Sequence, residues 1–160
     1  LIDDLTTIYK SLDIFYPKFY KMNHLCKLGF VGVEDLLSGH EVFINSIPKD
    51  RIATIFVNHS SSITSDFPHA NSLEKKGAIQ SPAEFVYTLP NILNGELAIR
   101  NGWSGYNAFY LKSNFDAAFL KEQLQLAALS QPIDACILGY VETNLEENYY
   151  SYRLELVSLI

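Results

Sequence analysis

Cysteine is scarce in this chain: Cys26 and Cys136 are the only two, each inside an apolar neighbourhood (HLCKLGF and DACILGY). No CxxC pair and no dense cysteine framework exists, which argues against a zinc module and a disulfide-stapled secreted scaffold, and suits a reducing cytoplasm. Basic charge is also short, with a formal net charge of −6, so general phosphate binding, and with it nucleic acid as a partner, is disfavoured. No apolar run approaches the ~20 residues of a membrane-spanning helix, and no charged-then-apolar leader opens the sequence at Leu1; no membrane association is expected. The glycines form neither GxGxxG nor a Walker loop and the serines form no GxSxG elbow, so no nucleotide cofactor and no hydrolase elbow has motif support.

What remains is a chain of 160 residues, 48% hydrophobic and 19% charged, enough to fold around a real core as one domain over 1–160. The first third reads helical: LIDDLTTIYKSLD is followed by a segment in which Phe19, Met22, Leu25, Leu28, Val33 and Leu36 or Leu37 recur near helical spacing, with Gly39 as a stop. After a loop containing Pro48, residues 52–57 are β-branched and continuously apolar, as in a strand buried on both faces. Residues 59–80, rich in Ser, Asn, Pro and charge, read as a long surface loop.

Ser81, Pro82 and Glu84 have capping-box spacing, with proline at the first helical position, and predict a short helix. Pro90 breaks it, since proline lacks an amide hydrogen and restricts the residue before it, and a second helix is expected over 90–100. Gly95 inside that helix is explained by close packing against another backbone. Beyond the turn at Gly102 and Gly105, YNAFYL reads as a strand and FDAAFLKEQLQLAAL as a helix capped by Asn114 or Ser113. IDACILGYVE reads as a second buried strand, and YYSYRLELVSLI as a last strand antiparallel to it. The order implies an α/β protein with a mixed, mostly parallel sheet of about four to five strands and helices packed on it.

Residues that invite chemistry are outweighed by plainer readings. His24, His40, His59 and His69 have no metal-ligand spacing, and no metal site is expected. His59 beside Ser60, Ser61 and Ser62 has the ingredients of nucleophilic catalysis, but a triad is a geometry and not a run of residue types. Glu146 and Glu147 sit in a polar turn as ordinary solvated acids. Lys49, Arg51, Lys75 and Lys76 make at most a small basic rim.

Taken together, Ser81 and Pro82, Asn91, Gly95, Ala98 and Ile99, Gly102, and the run Gly105, Tyr106, Asn107 resemble the β-ketoacyl synthases of the thiolase-like superfamily. There an SP…N…aG…aI…G…GpN pattern precedes the nucleophile strand. Downstream, Asp134 to Gly139 followed by Glu142 resembles that family's buried strand, and the resemblance extends over roughly 19–142, the N-terminal half of such a protein. It implies a cysteine at a helix N-terminus, where the dipole favours thiolate and amides hold the thioester oxyanion. Counting from Gly105 puts that slot at Asn114, which carries no acyl thioester. Pro90 and Tyr106 also depart from the pattern, and the histidines of a second half are absent.

The resemblance therefore implies no catalytic residue here, and a catalytically silent accessory subunit, like chain-length factors in role, in fatty-acid or polyketide-type biosynthesis. Asn91, Gly95, Trp103, Gly105, Asn107 and Asn114 would line the binding region. Tyr106, Phe109, Tyr110 and Leu111 would anchor a homodimer, or a heterodimer with a full-length ketosynthase. Two alternatives stand beside this: a decarboxylase or condensing enzyme completed by a second half or partner chain, and a module that binds an acyl carrier protein or acyl ligand.

Overall fold

The computed structural model describes residues 2–74, 81–144 and 149–160. Helix α1 (Ile2–Ser11) and a 3₁₀ turn (Pro17–Lys21) precede the long helix α2 (His24–Leu37) and the short α3 (Glu41–Ser46). A second 3₁₀ turn (Lys49–Arg51) leads into strand β1 (Ile52–Asn58), followed by α4 (Ile63–Leu73), α5 (Pro82–Val86) and α6 (Ile92–Asn101). Strand β2 (Asn107–Leu111), helix α7 (Ala117–Ser130) and the strands β3 (Ala135–Asn144) and β4 (Tyr149–Ser158) complete the order.

The four strands form one sheet in the order β2-β1-β3-β4. β1 pairs parallel with β2 (Thr54 opposite Asn107) and with β3 (Ile52 opposite Ala135), while β3 and β4 are antiparallel. The expected α/β architecture with a mixed, mostly parallel sheet is what forms. Every residue of β1 is buried, and its side chains alternate between two apolar cores as the strand period requires. Ile52 and Phe56 join the core under α1, α2 and α6, whereas Ala53, Ile55 and Val57 join the one under α7.

Local chemistry explains most boundaries. Asn23 caps α2, its Oδ1 accepting from the Cys26 amide at 2.9 Å, and Gly39 follows the helix with φ +89°, the left-handed conformation that ends many helices. Gly105 is dictated by a close approach: a Cβ there would stand 2.3 Å from the Ile52 carbonyl oxygen. Three expectations are corrected. Residues 41–46, expected as loop, form α3, and most of 59–74 is the helix α4 rather than surface loop. Pro68 inside α4 and the serines around it hide the helical signal. Gly95 packs against nothing: a Cβ there would meet no atom within 4 Å.

Candidate functional site at the strand ends

The carboxyl ends of β1 and β3 meet around one buried acid. Glu142, on β3, is almost wholly buried. Its Oε2 accepts hydrogen bonds from the His59 amide (2.7 Å), the Ser60 amide (3.2 Å) and the Tyr140 hydroxyl (3.1 Å), and its Oε1 accepts from the Thr143 amide (3.1 Å). Four donors offset the cost of burying the carboxylate. Burial, and then the neighbouring carboxylate, push the Tyr140 phenol above its ordinary value.

The loop after β1 is equally fixed. The fully buried Asn58 brackets Ser61, donating to its carbonyl at 2.8 Å and accepting from its amide at 3.0 Å, and this holds Ser61 at φ +54°. The Ser62 hydroxyl lies 3.0 Å from an Asp66 carboxylate oxygen and bonds the Thr88 carbonyl.

Between these groups lies a cleft of about 470 Å³, with His59, Ser60, Ser61, Ser113, Tyr140 and Glu142 in its walls. The chain leaving β1 returns through α6 on one face of the sheet, and that leaving β2 enters α7 on the other. The cleft therefore opens where connections diverge, the position at which open α/β sheets bind ligands.

No competent thiol stands here. Asn114, next to Ser113, is exposed, and neither it nor Ser113 caps α7, contrary to expectation. Asp116 does, its Oδ1 accepting from the Phe119 amide at 2.9 Å. That hydrogen bond, followed by the one from Lys112, holds the Asp116 carboxyl below its ordinary value. Lys112 Nζ sits 3.0 Å from Asp116 and 4.1 Å from the centre of the Phe119 ring. Cys136 and Cys26 are buried in the opposite cores. Burial pushes the Cys136 thiol up to about 12, and burial, then the charge of Glu96, raises that of Cys26 well above its ordinary value; both are protonated and inert at neutral pH.

The other singled-out residues are spread along the approach to β2. Asn91 is exposed at the start of α6 and makes no side-chain cap bond. Trp103 is 6% exposed in the core beside α2 and α6, with its indole N–H unpartnered, and lines none of the clefts named here. Asn107 is exposed at the start of β2. Phe109 packs into the core under α2, while Tyr106 and Tyr110 pack toward α7 with their hydroxyls 3.4 Å apart. The Tyr106 hydroxyl, then burial, push the Tyr110 phenol up to about 12. Leu111 is 58% exposed. Among the described residues β2 pairs only with β1, so its outer edge is open.

Sequence reasoning missed Asn94. It is 1% exposed, and its Nδ2 donates to Thr54 Oγ1 (2.9 Å), the Thr54 carbonyl (3.1 Å) and the Ala108 carbonyl (3.3 Å), tying α6 to β1 and β2. A polar residue between Leu93 and Leu97 on an apolar helix face was the available signal. Of the basic rim, Lys49 bonds Asn45 and Arg51 pairs with Asp134; Lys75 and Lys76, like Glu146 and Glu147, lie outside the described residues. Among the described residues no three His, Cys, Asp or Glu side chains converge as metal ligands, and no helix is long and apolar enough to cross a membrane.

No family model and no curated protein matches this sequence. Among solved structures, one chain of a ketosynthase (ApeO) in complex with its chain length factor (ApeC) from Xenorhabdus doucetiae matches with a TM-score of 0.59 at 12% identity. The fold resembles that of one chain of this complex. The match covers 83% of this chain and 51% of that one, so this chain spans about half the length of the structure it resembles. At this identity the likeness concerns fold, and the strand-end cleft acquires its meaning from its own residues.

Proposed function

We propose that this chain is a catalytically silent, ketosynthase-like accessory subunit, acting as one domain over 1–160 and pairing through β2 with a full-length ketosynthase or a second copy of itself. Its setting would be fatty-acid or polyketide-type biosynthesis. The observation that carries this reading is the exposed Asn114 at the position the family pattern gives to the nucleophile, with both thiols buried and protonated elsewhere. An open β2 edge bearing the exposed Leu111 supports the pairing, since an unpaired edge is a template for another strand. The matched solved structure is itself a complex of a ketosynthase with its chain length factor.

Light scattering tests the pairing: a dimer is expected alone or with a ketosynthase, and Leu111→Glu should shift it toward monomer. Monomer in both settings would sink the proposal. The silence is tested with Asn114→Cys. Thiol titration under native conditions should find none reactive in the unmodified chain and one per chain in the variant. Neither protein should turn over malonyl thioesters, because residue 114 precedes the Asp116 cap of α7 and lacks first-turn amides. Turnover by the unmodified chain would favour instead an enzyme completed by a partner.

A further inference from the structure

The sheet has a second open edge. Strand β4 is ten residues long, twice the length of β2, and among the described residues no strand pairs with its outer side. It holds no proline or glycine, and Arg153 and Glu155 are its only charges, so little blunts this edge against another strand. Which backbone groups face outward follows from the inner pairing. β3 and β4 stay in register from Ala135 opposite Ser158 to Asn144 opposite Tyr149. The Leu159 amide donates to the Asp134 carbonyl at 2.9 Å, and a Cβ at Gly139 would strike the Arg153 carbonyl oxygen. The odd-numbered residues of β4 therefore bond to β3, and Tyr150, Tyr152, Leu154, Leu156 and Ser158 turn their N–H and C=O groups outward. Side chains alternate as well: Tyr150, Leu154 and Leu156 lie toward the core under α2, which leaves Arg153 and Glu155 on the α7 side. Both line an open cleft of about 330 Å³ with Phe115 and Lys121, and Arg153 lies over the Phe115 ring. Neither stands in an ion pair among the described residues.

We propose that β4 pairs with β4 of a second copy of this chain, antiparallel about a two-fold axis at Leu154. Charge selects both the partner and the register. With Leu154 opposite its own copy, Arg153 faces the partner's Glu155 and Glu155 faces the partner's Arg153. Both are non-hydrogen-bonded pairs, in which side chains come closest. On the other side of the strand Tyr152 faces the partner's Leu156. A shift of one residue either way sets Arg153 or Glu155 against its own copy and turns the free backbone groups apart. A foreign strand has no reason to carry this pattern in reverse, whereas a two-fold axis supplies the reversal by symmetry, and the contact closes as a dimer. It is a narrow ribbon, at the small end of interfaces, between chains of net charge −6. The pairing therefore belongs to concentrated solution and leaves dilute behaviour to β2.

Sedimentation equilibrium on the whole chain carrying Leu111→Glu, which removes pairing through β2, tests this at physiological ionic strength. Between about 10 µM and 1 mM that chain should pass from monomer to dimer. Adding either Glu155→Arg or Arg153→Glu sets like charges opposite at both pairs and should weaken self-association at least about tenfold. An equal mixture of those two variants should regain the dimer, because the two arginines of one then face the two glutamates of the other. A monomer throughout, charge variants that dimerise like their parent, or a mixture that stays monomeric overturns the proposal. If a variant does not fold, amide NMR on the Leu111→Glu chain decides. With rising concentration the Tyr152, Leu154 and Leu156 amides should gain protection from exchange, while those of Arg153 and Glu155, already bonded to β3, should not change; absence of that alternation overturns the proposal as well. None of these readouts involves β2 or a ketosynthase, so the accessory-subunit reading stands or falls separately.

Discussion

The two faces of the sheet carry unequal cover. One lies under α1, the 3₁₀ turn, α2 and α6, and its core is aromatic: Tyr9 stacks on Phe19 with centroids 4.1 Å apart, Tyr16 stacks on Phe30 at 5.4 Å, and Phe19 and Phe30 are 5.6 Å apart. The other lies under α7, whose Leu120, Leu124 and Ala127 meet Ala53, Ile55, Val57, Cys136 and Leu138. That helix keeps Leu126 and Leu129 exposed, the latter at 85%. β1 and β3 supply comparable apolar side chains to both sides, so the strands do not decide which face carries the thick layer; the helices do. A single-helix layer can settle inward when a side chain is shortened, whereas a multi-layered aromatic core is locked by neighbours on every side.

Truncation on each face sharpens that contrast. Phe30→Ala removes a fully buried ring from contact with Tyr9, Tyr16 and Phe19 and should cost about 3–5 kcal/mol in urea denaturation, the range for such deletions. Leu120→Ala, equally buried under α7, should cost about 2–3 kcal/mol, the low end for leucine. Equal losses, or a larger one at Leu120, would break the idea that the α7 layer relaxes more readily.

The elements legible in the sequence were those whose signal is local. Continuous apolar runs announce β1 and β3 because both faces are buried, Ser81 and Pro82 mark α5, and glycine after Ser38 ends α2. What was illegible depends on partners far along the chain. The Glu142 hub joins groups 82 and 83 residues apart, so spacing could not show that the serine-rich turn after β1 is held rather than solvated. The cap of α7 was misplaced because Asn, Ser and Asp all cap well, and only the geometry selects Asp116. Asn94 escapes sequence reasoning for a similar cause: a pattern of residue types says nothing about which side chain reaches the sheet.

Asn94 gives the smallest and cleanest test, set on the thick face itself. Asn94 is the side chain on α6 that reaches both β1 and β2, so the aromatic layer is fastened to the parallel strands by polar bonds as well as by packing. Asn94→Leu keeps the volume but leaves the Thr54 and Ala108 acceptors without that donor, and should cost about 1–3 kcal/mol, the penalty for unpaired buried groups. Asn91→Ala removes an exposed side chain that makes no cap bond and should stay within about 0.5 kcal/mol of the unmodified chain. A large loss at Asn91 with none at Asn94 would mean that α6 is held at its amino end, not by its bond to the sheet. The thick face would then owe its stability to packing alone.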